Sequence, residues 1–92
     1  MEYIVSKNMI YLVNDEKKRI AYVTYPFMKE GVVDIQHTFV DESLRGQGIA
    51  GKMMDQVVAQ LRKDGRKAHL TCPYAKAYFE KHPEAGDVLE PK

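Results

Sequence analysis

The hydrophobic pattern changes period several times along the chain, and each change marks an element. Met9-Ile10-Tyr11-Leu12-Val13 is a short run rich in β-forming residues. The polar segment Asn14-Asp15-Glu16-Lys17-Lys18 then reads as a turn. Ile20-Ala21-Tyr22-Val23-Thr24-Tyr25 is a second strand closed by Pro26, so Met9 to Tyr25 predicts an antiparallel hairpin. After a turn at Glu30-Gly31, Val32 to Val40 alternates as one long strand. Val33, Ile35, His37 and Phe39 fall on one face; Asp34, Gln36 and Thr38 fall on the other.

From about Gly48 to Lys63 the period becomes helical. Ile49, Met53, Met54, Val57, Val58 and Leu61 form an apolar stripe, while Lys52, Asp55, Gln56 and Arg62 face away. Asp64-Gly65 supplies the stop. Ala68-His69-Leu70-Thr71 predicts a short strand, and Tyr74 to about Lys81 a second helix with Pro73 in its first turn and Pro83 past its end. Val88-Leu89 reads as a short edge strand in an acidic tail, Glu84 to Lys92, that frays. An antiparallel meander, a helix, a strand and a helix give an α+β (mixed α/β) fold with helices packed on a sheet. With 92 residues and no repeat, linker or low-complexity segment, residues 1–92 are expected to form one domain.

Composition removes several function classes. A net charge of +1 gives no electrostatic case for nucleic acid or an anionic membrane as partner. No apolar run approaches a membrane span, and the start, Met1 to Lys7, lacks the features of a signal peptide. The single cysteine, Cys72, excludes an internal disulfide framework and fits a cytoplasmic setting. Three scattered histidines and one cysteine show no metal-ligand spacing, so no metal is expected.

The densest chemistry lies in Arg45-Gly46-Gln47-Gly48-Ile49-Ala50-Gly51-Lys52, a glycine-rich turn that feeds an amphipathic helix. Glycines let backbone N–H groups approach a ligand, and a helix start adds free donors and a positive dipole end. That combination suits a phosphate or pyrophosphate. Gly46, Gly48 and Gly51 satisfy the dinucleotide pattern G-x-G-x-x-G, but the preceding strands read as antiparallel and no acidic residue follows at the required strand end. Gly46, Gly51 and Lys52 fit a nucleotide P-loop, but Met53 stands where a hydroxyl must bind Mg²⁺. Arg45, Gly48 and Ala50 fit a third pattern, Arg/Gln-x-x-Gly-x-Gly/Ala.

That third pattern, after a long strand and opening a long helix, resembles the acyl-CoA pyrophosphate loop of the GNAT superfamily of N-acetyltransferases. The likeness is strongest to small, stand-alone, truncated GNAT-like domains. It rests further on His37-Thr38, Cys72-Pro73-Tyr74 and His82-Pro83-Glu84, and it spans about Tyr11 to Glu84. The resemblance implies acetyl-CoA or coenzyme A held by the backbone of Gly46, Gln47, Gly48, Ile49, Ala50 and Gly51, with Arg45 and Lys52 meeting its phosphates. It implies that Thr38, Phe39 and Val40, at the strand end, meet the pantetheine arm and polarise the thioester. Tyr74 and Tyr78, on one face of the last helix, read as core-facing aromatics or as lining of the pantetheine channel.

The catalytic candidates are Cys72 and His37. Cys72 precedes a helix start, where the dipole favours a thiolate able to accept acetyl or to protonate the leaving thiolate. His37 is a base for the amine or a partner for Cys72. Many family members place a tyrosine acid where Phe79 stands here, which makes Cys72 the natural substitute. The expected acceptor is a small-molecule or peptide amine. A CoA-binding module without catalysis is the alternative.

Overall fold

The computed structural model describes residues 2–44 and 46–90. The chain opens with a strand that the sequence pattern did not reveal, β1 (Glu2–Val5). A turn at Ser6, whose N–H and hydroxyl both reach the Met9 carbonyl at 2.9 Å, folds it against β2 (Met9–Val13). The expected hairpin follows. β2 pairs antiparallel with β3 (Arg19–Thr24), and Asn14 fixes the turn by accepting the Glu16 and Lys18 N–H groups at 2.9 and 3.1 Å. Pro26 bends the chain after β3 into β4 (Phe27–Lys29), a fully exposed strand with no burial alternation to betray it.

The segment Val32–Val40 is not one strand. It divides into β5 (Val32–Ile35) and β6 (His37–Val40), which belong to different sheets. Thr24 of β3 meets two residues here: it is in register with His37, and its carbonyl also accepts the Gln36 N–H at 3.0 Å. Two residues against one make a β-bulge, and the extra residue shifts the side-chain phase. Val33 and Ile35 point into the core before it; Thr38 and Val40 point inward after it. His37 and Phe39 therefore face outward, and the expectation that they continue the Val33–Ile35 face is corrected.

One sheet has the order β1-β2-β3-β6; the other has β4-β5-β7, where β7 (Lys67–Leu70) runs parallel to β5. Helix α1 (Ile49–Asp64) packs on the inner face, burying Met53, Met54, Val57 and Leu61 against Ile10, Leu12, Ala21 and Val23. It ends at Gly65, left-handed at φ 68°, whose neighbour Arg66 donates its N–H back to the Leu61 carbonyl at 2.9 Å. Helix α2 (Pro73–Lys81) follows β7 on the same side.

Up to Glu90 the tail is packed against the fold; the rest of it lies outside the described residues. A 3-10 helix, Pro83–Val88, buries Ala85 and Val88 in the core. Arg62 forks onto Asp87 at 2.7 and 2.9 Å and bonds the Glu84 carbonyl at 3.1 Å. Only Leu89 of the expected Val88-Leu89 strand makes a bridge, to Ala68. Among the described residues no helix is long and apolar enough to cross a membrane.

Ile35 ends β5 at the point where the two sheets part. Its side chain is fully buried, and its carbonyl accepts the N–H groups of both Thr71 and Cys72, at 3.1 and 3.0 Å. Replacing Ile35 by Ala should cost about 2–5 kcal/mol of stability, the usual range for emptying a packed aliphatic site. Urea unfolding followed by circular dichroism measures it; a loss under about 1 kcal/mol means the junction repacks freely.

Candidate functional site

The glycine loop is braced before it begins. Ser43 donates both its N–H and its hydroxyl to Asp41 Oδ1 at 3.0 Å, and these bonds hold the Asp41 carboxyl below its ordinary range. The 3-10 turn Glu42–Leu44 buries Leu44, whose carbonyl receives the Gln47 N–H at 3.3 Å. The Gln47 amide also reaches back to the Ser43 carbonyl at 3.4 Å, so its side chain braces the loop. Gly46 and Gly48 then adopt φ of 85° and 71°, a region that side chains other than glycine's resist. Gly48 is the N-cap of α1, and no side chain caps that helix.

A Cβ added at Gly46 or Gly48 would meet nothing within 4 Å. That open space is a pocket of about 220 Å³ lined by Val40, Leu44, Gly46, the helix start from Gly48 to Gly51, and Tyr74. The Tyr74 hydroxyl lies over the first turn, 3.7 Å from where a Gly51 Cβ would sit. Burial, helped by Asp55 and Cys72, raises the Tyr74 phenol above its ordinary range. Uncapped N–H groups at a helix start, in an open cradle, suit an anion. Ile49 contributes backbone, since its side chain is buried in the core, and Lys52 stands exposed one turn along. Arg45 lies outside the described residues.

Beyond the pocket the two sheets part. β6 pairs with β3 on one edge; past Ile35, β7 has ended on the other side. The Asp41 N–H bonds the Ile20 carbonyl at 2.8 Å, which sets the alternation of the antiparallel ladder. By that alternation the Phe39 peptide is committed to Tyr22, and those of Thr38 and Val40 point across the slot. Phe39 is corrected on a second count: its ring stacks on Tyr22 at 5.3 Å on the outer face, away from the loop.

Cys72 sits at the inner side of the slot as the N-cap of α2, 5% exposed. Its thiol donates to Thr38 Oγ1 at 3.5 Å. The partner of Cys72 is thus Thr38 and not His37, which the bulge turns to the opposite face. Tyr78 takes the core-facing place of its two expected roles and does not line the pocket. Its hydroxyl donates to Asp55 Oδ1 at 2.5 Å, and its ring packs on His82 at 4.4 Å between centroids. One turn beyond Tyr74, it reaches the middle of α1 and not the pocket. Burial, and next the Asp55 bond, push its phenol above the ordinary tyrosine range.

A polar cluster on the outer face escaped the sequence reading. Asp34 accepts the Thr71 hydroxyl at 2.6 Å on Oδ1 and the Gln36 amide at 3.1 Å on Oδ2. Alternation marked Asp34 and Gln36 as polar positions, but Thr71 joins them only through the β5–β7 pairing. Cys72 and Thr71 are neighbours in the chain and open onto opposite faces of the slot.

Residues 9–88 match the family described as GCN5-related N-acetyl-transferase. The NATD1 proteins of Mus musculus and Homo sapiens are each 35% identical to this chain over 63 residues, 68% of its length. The chain spans only a little over half of theirs, 57% and 56%. A GCN5-like protein of Staphylococcus aureus solved by NMR superposes with a TM-score of 0.80 at 32% identity, over 99% of this chain and 89% of that one. The Escherichia coli protein YhbS, crystallised with CoA, shares the fold at a TM-score of 0.61 and 24% identity, over 67% of this chain and 38% of that one.

Tyr78→Phe should lower stability by about 1–2 kcal/mol, the scale of a hydrogen bond to a charged acceptor, without altering the glycine pocket. Its pH signature has a definite sign. The folded phenol titrates above the unfolded value of 10.0, so its contribution is complete below that pH and is lost as pH rises further. Denaturant titrations on both sides of pH 10 should show a smaller alkaline decline in Tyr78→Phe than in wild type; equal declines contradict the assignment.

Proposed function

The chain belongs to the GCN5-related N-acetyltransferase family, and from that premise we propose that it transfers an acetyl group from acetyl-CoA to an amine. The observation that carries this reading is the uncapped start of α1 behind left-handed Gly46 and Gly48, opening a pocket at the head of the slot between the sheets. Bound there, acetyl-CoA supplies an activated thioester; the chain supplies binding, orientation and proton transfer.

Backbone N–H groups from Gly48 to Gly51 receive the pyrophosphate, with Arg45 and Lys52 as nearby positive charges. Val40 and Tyr74 wall the path that follows. Peptide groups of Thr38 and Val40 face the pantetheine arm, and a donor there polarises the thioester carbonyl as an oxyanion hole does. Cys72 is the buried N-cap of α2, at the inner side of the slot. In one route its sulfur takes the acetyl group and passes it to the amine. In the other its proton goes to the departing thiolate, replacing the tyrosine acid whose position Phe79 fills. The amine enters from the opposite, outer face, where His37 and Asp34 stand. A small or peptide amine in a cytoplasmic setting fits the near-neutral chain and its single free thiol.

A non-catalytic CoA-binding module is the second reading. It is favoured by the buried, Thr38-bonded state of Cys72 and by Phe79 standing where many family members place a tyrosine acid.

Gly48→Val should remove CoA binding in calorimetry while the circular dichroism spectrum persists, because a branched side chain is strained at φ 71° and fills the cradle. Cys72→Ala should lower acetyl-CoA turnover about 10²-fold while CoA affinity stays unchanged. Mass spectrometry of the wild type after acetyl-CoA distinguishes the routes by an acetyl group on Cys72. Persistent CoA binding by Gly48→Val sinks the pocket assignment, and full turnover by Cys72→Ala sinks the cysteine role. CoA binding without turnover on any amine establishes the second reading.

A further inference from the structure

The outer face carries a second histidine whose surroundings differ from those of His37. In the parallel β5–β7 pair, His69 is in register with Asp34. Neighbouring strands lie about 4.8 Å apart, so the two side chains stand abreast on one face. Thr71, two residues beyond His69 and just past the end of β7, donates its hydroxyl to the Asp34 carboxylate at 2.6 Å. On its other side His69 Nδ1 lies 3.2 Å from Glu90 Oε2. Glu90 is fixed twice: its N–H bonds the Ala68 carbonyl at 2.8 Å, and Lys29 Nζ holds Oε1 at 2.6 Å.

A carboxylate can only accept, so the Glu90 contact places the ring proton on Nδ1 and leaves the Nε2 lone pair free. This is the arrangement of a base oriented by a third group. His37, by contrast, has no hydrogen-bonding partner for its ring among the described residues. Asp34 has no cationic partner among the described residues; its two bonds come from neutral groups.

We propose that His69, oriented by Glu90, is the base that receives a proton from the acceptor amine, which docks as an ammonium ion against Asp34. The inference rests on the acetyl-transfer reading above and deepens it: the acceptor class is a primary amine that arrives protonated. One ammonium proton passes to His69 Nε2. The nitrogen lone pair then bonds the acetyl carbon as the carbon–sulfur bond breaks, a second proton ends on the departing thiol, and the imidazolium releases its proton to solvent. His69 is 46% exposed, which leaves that exit open. The charged groups facing it are Asp34 from β5, Glu90 from the tail and Lys29 from β4 behind Glu90. Lys67, also on β7, is turned to the Asp87 carbonyl.

The experiment measures CoA release from acetyl-CoA with spermidine and with Nα-acetyl-lysine amide, from pH 6 to pH 10. His69→Asn should lower kcat about 10²-fold at pH 7, with the deficit shrinking toward pH 10 as free amine accumulates. Its CoA affinity should match wild type in calorimetry. Glu90→Gln should lower kcat by a smaller factor and add nothing in the His69→Asn background, as expected of residues acting as a unit. Asp34→Asn should raise KM for the amine more than it lowers kcat. A merely structural His69–Glu90 tie would shift the melting temperature and leave the pH profile in place; that result, or a normal profile in His69→Asn, overturns the proposal while wild-type turnover upholds acetyl transfer. If the wild type releases no CoA with either amine, the transfer reading fails first and takes this one with it.

Discussion

The structure depends on how one strand is divided between two sheets. Thr24 faces both Gln36 and His37, and the Ile35 carbonyl takes two N–H groups, from Thr71 and Cys72. Backbone groups inside a fold must be paired, and these bonds satisfy them at the point where the ladder separates. The consequence is an opening with peptide groups along one wall. Without the bulge, β6 would keep the phase of β5, and Thr38 and Val40 would turn outward with no reach toward Cys72 or the glycine loop.

The opening has two faces with different chemistry. The inner one is bounded by Thr38, Val40, Cys72, Tyr74 and the start of α1, and it suits a long anionic ligand with an apolar arm. The outer one carries Asp34, Gln36, His37, His69 and Thr71, all polar and reachable by solvent. Thr71 bonds Asp34 and Cys72 bonds Thr38, so these two neighbours, just past the end of β7, put a hydroxyl and a thiol on the two sides of the same passage. That division suits a reaction in which donor and acceptor meet from opposite directions.

Helix α1 is the reference frame for everything else. Its N-terminus forms the cradle, Asp55 at its middle anchors α2 through Tyr78, and Arg62 near its end pins the tail through Asp87 and Glu84. The pinned tail delivers Glu90 to His69, so a residue near the end of the chain takes part in the outer face.

Much of this was written in local pattern. The hairpin, the α1 stripe, the Gly65 stop and the glycine turn follow from spacing and backbone preference between near neighbours, and these act the same in any context. The order of elements and the likeness to an acyl-CoA loop follow from them. What the sequence could not express was decided by contacts between distant segments. The bulge depends on how β6 registers against β3, and a one-residue shift there reversed the faces assigned to His37 and Phe39. Exposed β4 has no alternation to read. Tyr74 and Tyr78 share a helix face, yet only the crossing of α2 over α1 sends one to the pocket and the other to Asp55. Asp34, Thr71, His69 and Glu90 are separated by up to 56 positions in the chain, and only parallel pairing and a docked tail bring their charges and hydrogen bonds within reach of one another.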